Sequence, residues 1–321
     1  MNDYGKGKML VIYRSGGLGD FVKTWGFLRE NPDAIIVTKK DRGELLHHTL
    51  GHTFLCDDLW EPFFRGESCP PPFVSAYTKI VVYRHEYFAK DDEQLRSGLK
   101  SLNPHADIDL RSFCPVCCEG TNPVLKTNKS GRIIFHVGAG LLKFSKAKIE
   151  EYFRRGVFPI KAWDFGQSLR FKKLMEKDGY CIDLIAGTQQ RKQWDTGTLN
   201  LFKDNGFFKE EGLIELKDII SNSKCFIGFD SGPTHLAAQM GVPTVGMYGP
   251  TGNKGVDPSS HDLCHAEPLG PQEHLCLIHP DSSTPDLDKP RMRWLSPEKA
   301  AKEVKVFLNR IYTHKQNGKH G

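Results

Sequence analysis

The stretch Phe229-Asp230-Ser231-Gly232-Pro233-Thr234-His235-Leu236-Ala237-Ala238 decides how this chain is read. It completes the apolar run Cys225-Phe226-Ile227-Gly228-Phe229, the pattern of a strand buried on both faces. Polar and small residues then turn the chain, and Pro233 opens a helical stretch to Met240. A strand that turns through a glycine into a helix presents the amides of the first helical turn at the carboxyl end of a sheet. That end is where open α/β sheets bind ligands. Helix N-termini favour anions through unpaired N–H groups and the helix dipole. Ser231 and Gly232 are small enough for a phosphate to approach the backbone, and His235 falls in the first turn, where it adds a donor. Taken alone, the same residues also describe a capped helix with Asp230 in a turn and His235 in the packing.

The surroundings repeat the same grammar. Ile133-Ile134-Phe135-His136-Val137 reads as a strand ended by Gly138-Ala139-Gly140. A basic helix is expected over 145–155, a stronger one over 165–178 before Gly179, and a short one over 216–221. Strands are expected over 180–186 and 242–248. Ser296-Pro297-Glu298 opens a closing helix to about Tyr312, with fraying over 313–321. In the first half, Met9–Tyr13 is a strand, Ser15-Gly16-Gly17-Leu18-Gly19-Asp20 a glycine loop, 21–29 a helix stopped by Asn31-Pro32, and 34–37 a strand. Another strand falls at 80–83 and a helix over 90–102. Residues 104–130, rich in Cys, Pro, Asn, Thr and Lys, read as a long connection. The organisation expected is a first domain over 1–125, a second over 131–295 and the closing helix over 296–312, packing back toward the first domain.

A chain of 321 residues accommodates two domains of about 150 residues each. A hydrophobic share of 39% with 26% charged residues excludes a disordered chain, a collagen-like repeat and a multi-span membrane protein. The net charge of +5 suits an anionic small molecule or membrane surface and is too weak to imply nucleic acid. The first apolar run, Met9–Tyr13, is too short for a secretory segment, so a cytoplasmic protein is expected. In that reducing setting the nine cysteines are thiols or metal ligands rather than disulfides.

Residues 229–238, with Gly241-Val242-Pro243 and Tyr248-Gly249-Pro250-Thr251 after them, closely resemble the nucleotide-sugar site of glycosyltransferase family 9, which holds the heptosyltransferases of lipopolysaccharide core assembly. The loop Gly16-Gly17-Leu18-Gly19-Asp20-Phe21-Val22 resembles that family's opening glycine loop, and His136-Val137-Gly138-Ala139-Gly140 its strand-end segment at the start of the second domain. The resemblance implies an α/β fold of GT-B architecture, two Rossmann-like domains facing each other across a cleft. It implies an inverting, metal-independent transfer with no cofactor, from a nucleotide-sugar donor, usually ADP-heptose, to a glycan, glycolipid or protein hydroxyl. Asp230, Ser231, Gly232, Thr234, His235 and Gly138 would bind the donor. Gly16, Gly17 and Gly19 would line the acceptor side, and Asp20 would be the general base. Asp20 read without the resemblance favours the N-terminus of the helix that follows it. The family's donor-phosphate lysine precedes a tryptophan. Lys143 comes early but lacks one, whereas Lys161-Ala162-Trp163 has the right local form later in the chain, and Lys161 is the preferred residue.

Cys114-Pro115-Val116-Cys117 is a Cys-x-x-Cys, and Cys264 and Cys276 could complete a metal set with it, although the spacing is not diagnostic. Basic clusters such as Lys146-Ala147-Lys148 and Arg154-Arg155 are solvated faces or contacts to membrane headgroups, which allows a peripheral place on the inner membrane. Two other functions fit parts of the chain. A nicotinamide-dependent oxidoreductase would use the first glycine loop, which lacks the third glycine of the dinucleotide fingerprint. A catalytically silent nucleotide-sugar-binding protein would use the same fold.

Overall fold

A computed structural model describes residues 9–13, 17–64, 70–84, 92–112, 131–138, 162–187, 197, 200, 202–203, 208–209, 212–248, 274–278, 292 and 295–317. The chain divides into two compact units, Met1–Thr121 and Asn122–Gly321.

In the first unit, β1 (Met9–Tyr13), β2 (Ile35–Thr38), β3 (Phe54–Cys56), β4 (Lys79–Arg84) and β5 (Asp107–Ser112) form one parallel sheet in the order β3-β2-β1-β4-β5. Such a sheet needs crossovers between strands. Between these strands the chain runs through α1 (Leu18–Lys23), α2 (Trp25–Glu30), α3 (Lys40–Leu50), α4 (Glu61–Phe64) and α5 (Asp92–Leu102). β1 is buried from Leu10 onward and sits mid-sheet, as its unbroken apolar run requires. The helix expected over 21–29 begins earlier, at Leu18, and breaks at Thr24, whose hydroxyl donates back to Phe21 O at 2.7 Å. α3 and β3 were not expected. The long connection expected over 104–130 is also corrected, because Asp107–Ser112 forms the edge strand β5.

The second unit repeats the plan. β6 (Ile133–His136), β7 (Ile182–Ala186), β8 (Phe208–Lys209), β9 (Cys225–Phe229), β10 (Thr244–Tyr248) and β11 (His274–Ile278) form a parallel sheet in the order β11-β10-β9-β6-β7-β8. Counted from the start of this unit, that is the doubly wound order 3-2-1-4-5-6 read from its other edge. Its described helices are α6 (Phe165–Lys177), α7 (Leu213–Ser221), α8 (Gly232–Gln239) and α9 (Pro297–Asn317). α6 opens on a reciprocal cap: Gln167 N donates to Asp164 Oδ1 at 2.8 Å, and Gln167 Oε1 accepts from Asp164 N at 3.4 Å. The basic helix expected over 145–155 lies outside the described residues.

One face of this sheet packs into a core containing Phe135, Phe171, Ile227, Phe229 and Met247. α9 supplies Ala300, Ala301, Val304, Phe307, Leu308 and Ile311 to that core, at helical spacing. Outside the core, Tyr312 Oη donates to Lys224 O at 2.8 Å and Lys305 pairs with Asp178, which ties α9 to the sheet and helices of the second unit. The helix continues to Asn317, beyond the expected end at Tyr312. Among the described residues no helix is long and apolar enough to cross a membrane.

Candidate donor-binding site

In the second sheet the strand order reverses between β6 and β9. In open α/β sheets such a reversal leaves a crevice outside the carboxyl ends of the strands, because the connections on its two sides leave in opposite directions. The segments that line it are the turn after β6 and the turn from β9 into α8. The register pairs His136 with Gly228, which brings both turns to the same end of adjacent strands.

The β9–α8 turn is built as its sequence dictates. Ser231 is the N-cap residue, extended at φ −154° and ψ 159°, and Gly232 and Pro233 begin the helix. The amides of Thr234 and His235 both donate to Ser231 O, at 3.1 and 3.3 Å. Pro233 has no amide hydrogen and the Ser231 side chain makes no cap bond, so the Gly232 N–H at the tip of the turn has no intrahelical partner. His235 Nε2 lies 3.7 Å from Asp230 Oδ1, with both side chains largely covered. That separation is an electrostatic contact rather than a hydrogen bond. The turn thus combines a helix N-terminus, a small N-cap, a carboxylate and an imidazole within six residues.

Thr234 differs from its neighbours. It is 1% exposed, and its hydroxyl donates to Phe229 O at 2.6 Å. Room for it comes from Gly228, where a Cβ would lie 2.3 Å from Thr234 Oγ1. Gly246 on β10 pairs with Gly228, and a Cβ there would meet the Tyr248 ring at 2.3 Å. Side chains of register partners share a face of the sheet. His136, Gly228 and Gly246 therefore form a row across three strands, and its two glycines let Thr234 and Tyr248 come down onto the sheet.

On β6, His136 is 3% exposed, with Nδ1 3.1 Å from Gly138 O. Burial holds its imidazole down at about 4, against a weaker upward pull from the Gly138 carbonyl. The ring is therefore neutral at ordinary pH. Because a carbonyl only accepts, the proton sits on Nδ1. Gly138 is buried at the end of this segment. Sequence reasoning singled out Gly138 and the 230–235 turn but not His136, Gly228 or Gly246. The available signals were a lone histidine and lone glycines inside apolar strands.

In the first unit, Gly17, Gly19 and Asp20 follow β1 at the carboxyl end of its sheet. Gly17 O accepts from Phe21 N at 3.3 Å, Gly19 is buried and Asp20 is the third residue of α1. Gly16 and Lys161 lie outside the described residues. Trp163, two residues past Lys161, is a core residue: it is 3% exposed and packed against Phe135, Phe171 and Phe229. Cys114, Cys117 and Cys264 also lie outside the described residues, and Cys276 is placed only as a residue of β11. Among the described residues no group of three or more His, Cys, Asp or Glu could hold a metal ion.

Residues 159–281, which include the β9–α8 turn, match the model of glycosyltransferase family 9 (heptosyltransferase). Solved structures similar to the chain include an ADP-heptose LPS heptosyltransferase II of E. coli, with 13% identity over 95% of this chain and 99% of that one and a TM-score of 0.54. A family 9 glycosyl transferase of Veillonella parvula aligns at 12% identity over 95% and 98%, TM-score 0.59. The E. coli heptosyltransferase WaaC, solved with ADP, aligns at 11% over 94% and 99%, TM-score 0.52. These likenesses make the fold GT-B-like, with one Rossmann-like sheet in each unit. No curated protein matches the chain.

Proposed function

We propose, from the match of residues 159–281 to the glycosyltransferase family 9 model, that this chain transfers a sugar from a nucleotide-sugar donor to an acceptor hydroxyl with inversion. The donor we assign is ADP-heptose, which the similar E. coli heptosyltransferase II carries in its name. The observation that carries this reading is the placement of the β9–α8 turn at the strand-order reversal of the second sheet, inside the family match. The Ser231–Gly232 tip and the dipole of α8 receive the diphosphate. Asp230 accepts from donor hydroxyls, and His235 donates at the leaving diphosphate. Gly138 lets the donor approach the main chain from the other lip of the crevice, and Lys161 adds positive charge to the same leaving group.

In the reaction the acceptor oxygen bonds to the anomeric carbon as the bond from that carbon to the diphosphate oxygen breaks. The acceptor proton passes to Asp20, and ADP leaves. The acceptor class we assign is a glycan or glycolipid hydroxyl. Positioning of the two substrates and stabilisation of the leaving diphosphate supply most of the rate. The test is incubation with ADP-heptose and a cell extract, with mass spectrometry of the acceptor fraction, for wild type and Asp20→Ala. Wild type should add one heptose to an acceptor. The variant should bind ADP nearly as well and transfer nothing. Donor bound but neither transferred nor hydrolysed by wild type would sink the enzymatic reading.

A further inference from the structure

Two buried polar side chains flank the strand-order reversal of the second sheet, and each is committed to a carbonyl in one of the two turns. His136 Nδ1 faces Gly138 O at 3.1 Å, while the Gly138 amide donates to His136 O at 3.1 Å, closing a small loop at the end of β6. Thr234 Oγ1 donates to Phe229 O at 2.6 Å, tying the first turn of α8 to the last residue of β9. The two ties meet through the sheet: His136 is the register partner of Gly228, and Gly228 leaves the space that Thr234 occupies. At 3% and 1% exposure neither side chain has surface to offer a ligand, so each acts through the main chain.

We infer that His136 and Thr234 are positioning residues for donor binding, holding the Gly138 turn and the Asp230–Gly232 turn in one arrangement before the donor arrives. This rests on the reading of the second unit as the donor unit. It gives Thr234 a different part from the direct donor contact that the family resemblance implied. A turn already ordered does not charge its ordering entropy to the ligand, which raises affinity without adding a contact.

The test sets Thr234→Val against Thr234→Ser and His136→Leu against His136→Asn. Val and Leu keep apolar volume and remove the donor, whereas Ser and Asn return one. Amide hydrogen exchange over 136–138 and 229–235 is read without ligand, and ADP affinity is read by calorimetry. Val and Leu should speed exchange in their own turn and weaken ADP binding roughly tenfold, the scale of one ordinary hydrogen bond. Ser and Asn should recover most of both losses. Exchange like wild type in the Val and Leu variants overturns the proposal, as does faster exchange with unchanged ADP affinity. Wild type that binds no ADP while the exchange pattern holds overturns the donor reading and leaves the two ties standing.

Discussion

Trp163 donates its indole N–H to the carbonyl of Leu295 at 2.8 Å, so the approach to α6 and the approach to α9 are joined inside the core by one hydrogen bond spanning 132 residues of sequence. The ring around that N–H is held by three aromatic neighbours at centroid distances of 5.5 to 6.2 Å. Replacing Trp163 by Phe keeps an aromatic ring and strands the Leu295 carbonyl. The expected cost is about 2 kcal/mol of stability, rising to about 4 kcal/mol for Ala, where a cavity adds to the lost bond. Urea unfolding followed by far-UV circular dichroism measures both.

His136 makes the fold acid-sensitive in a defined window. The unfolded chain takes up a proton near 6.5, the folded chain only at about 4. Between those values the unfolded state holds more protons, so this contribution to stability is complete above 6.5 and is lost as pH falls toward 4. Going from pH 7 to pH 5 should lower unfolding free energy by about 2 kcal/mol from this residue alone. The urea midpoint of His136→Leu should fall less over that interval than that of wild type. Equal falls would mean that the imidazole is not held neutral.

Gly228→Ala places a methyl 2.3 Å from Thr234 Oγ1 and 3.1 Å from the Phe226 ring. A misfit of that size in a packed layer costs about 1–3 kcal/mol. Removing the hydroxyl as well, in Gly228→Ala with Thr234→Ala, should return part of the loss, giving a double-mutant coupling of at least about 1 kcal/mol. Additive effects in the thermal melts would show that the two residues do not share the space.

Asp183, on β7, is 6% exposed and answered by Arg132, whose Nη2 donates to Asp183 Oδ1 at 2.5 Å. Burial raises the carboxyl of Asp183 above its ordinary value, and Arg132 opposes the rise. Arg132→Ala leaves that carboxylate buried without its partner. The expected loss is about 2 kcal/mol, below that of a fully buried pair because the Arg132 side chain is half exposed. Adding Asp183→Asn should restore at least half of it, as read in the melting temperature.

The parts of the fold written in continuous apolar runs were legible. β1, β6, β9 and β10 lie inside their sheets, where burial on both faces demands such runs. β5, Asp-Ile-Asp-Leu-Arg-Ser, was not legible: an edge strand needs only one apolar face, and its alternation over six residues is easily taken for a polar connection. β11 at the other sheet's edge escaped for the same reason of position, lying in a long polar region. α3 carries two histidines and a glycine and has little one-sidedness, so its apolar spacing did not stand out. At the candidate site the turn over 230–235 could be read because proline, glycine and small polar residues have fixed uses there. The parts of His136 and Gly228 could not, since each depends on how the turn after its strand folds: Gly138 turning its carbonyl back, and Thr234 descending onto the strand.

The glycine row also constrains how the second sheet can assemble. Gly228 and Gly246 stand side by side beneath α8 and Tyr248, in spaces that do not admit even one methyl group. If β9 paired one residue out of step, its faces would exchange and Ile227 or Phe229 would stand where α8 lays Thr234 over Gly228. Such a pairing collides with α8 as the helix docks, so the smallest residue of β9 proofreads the alignment of its strand.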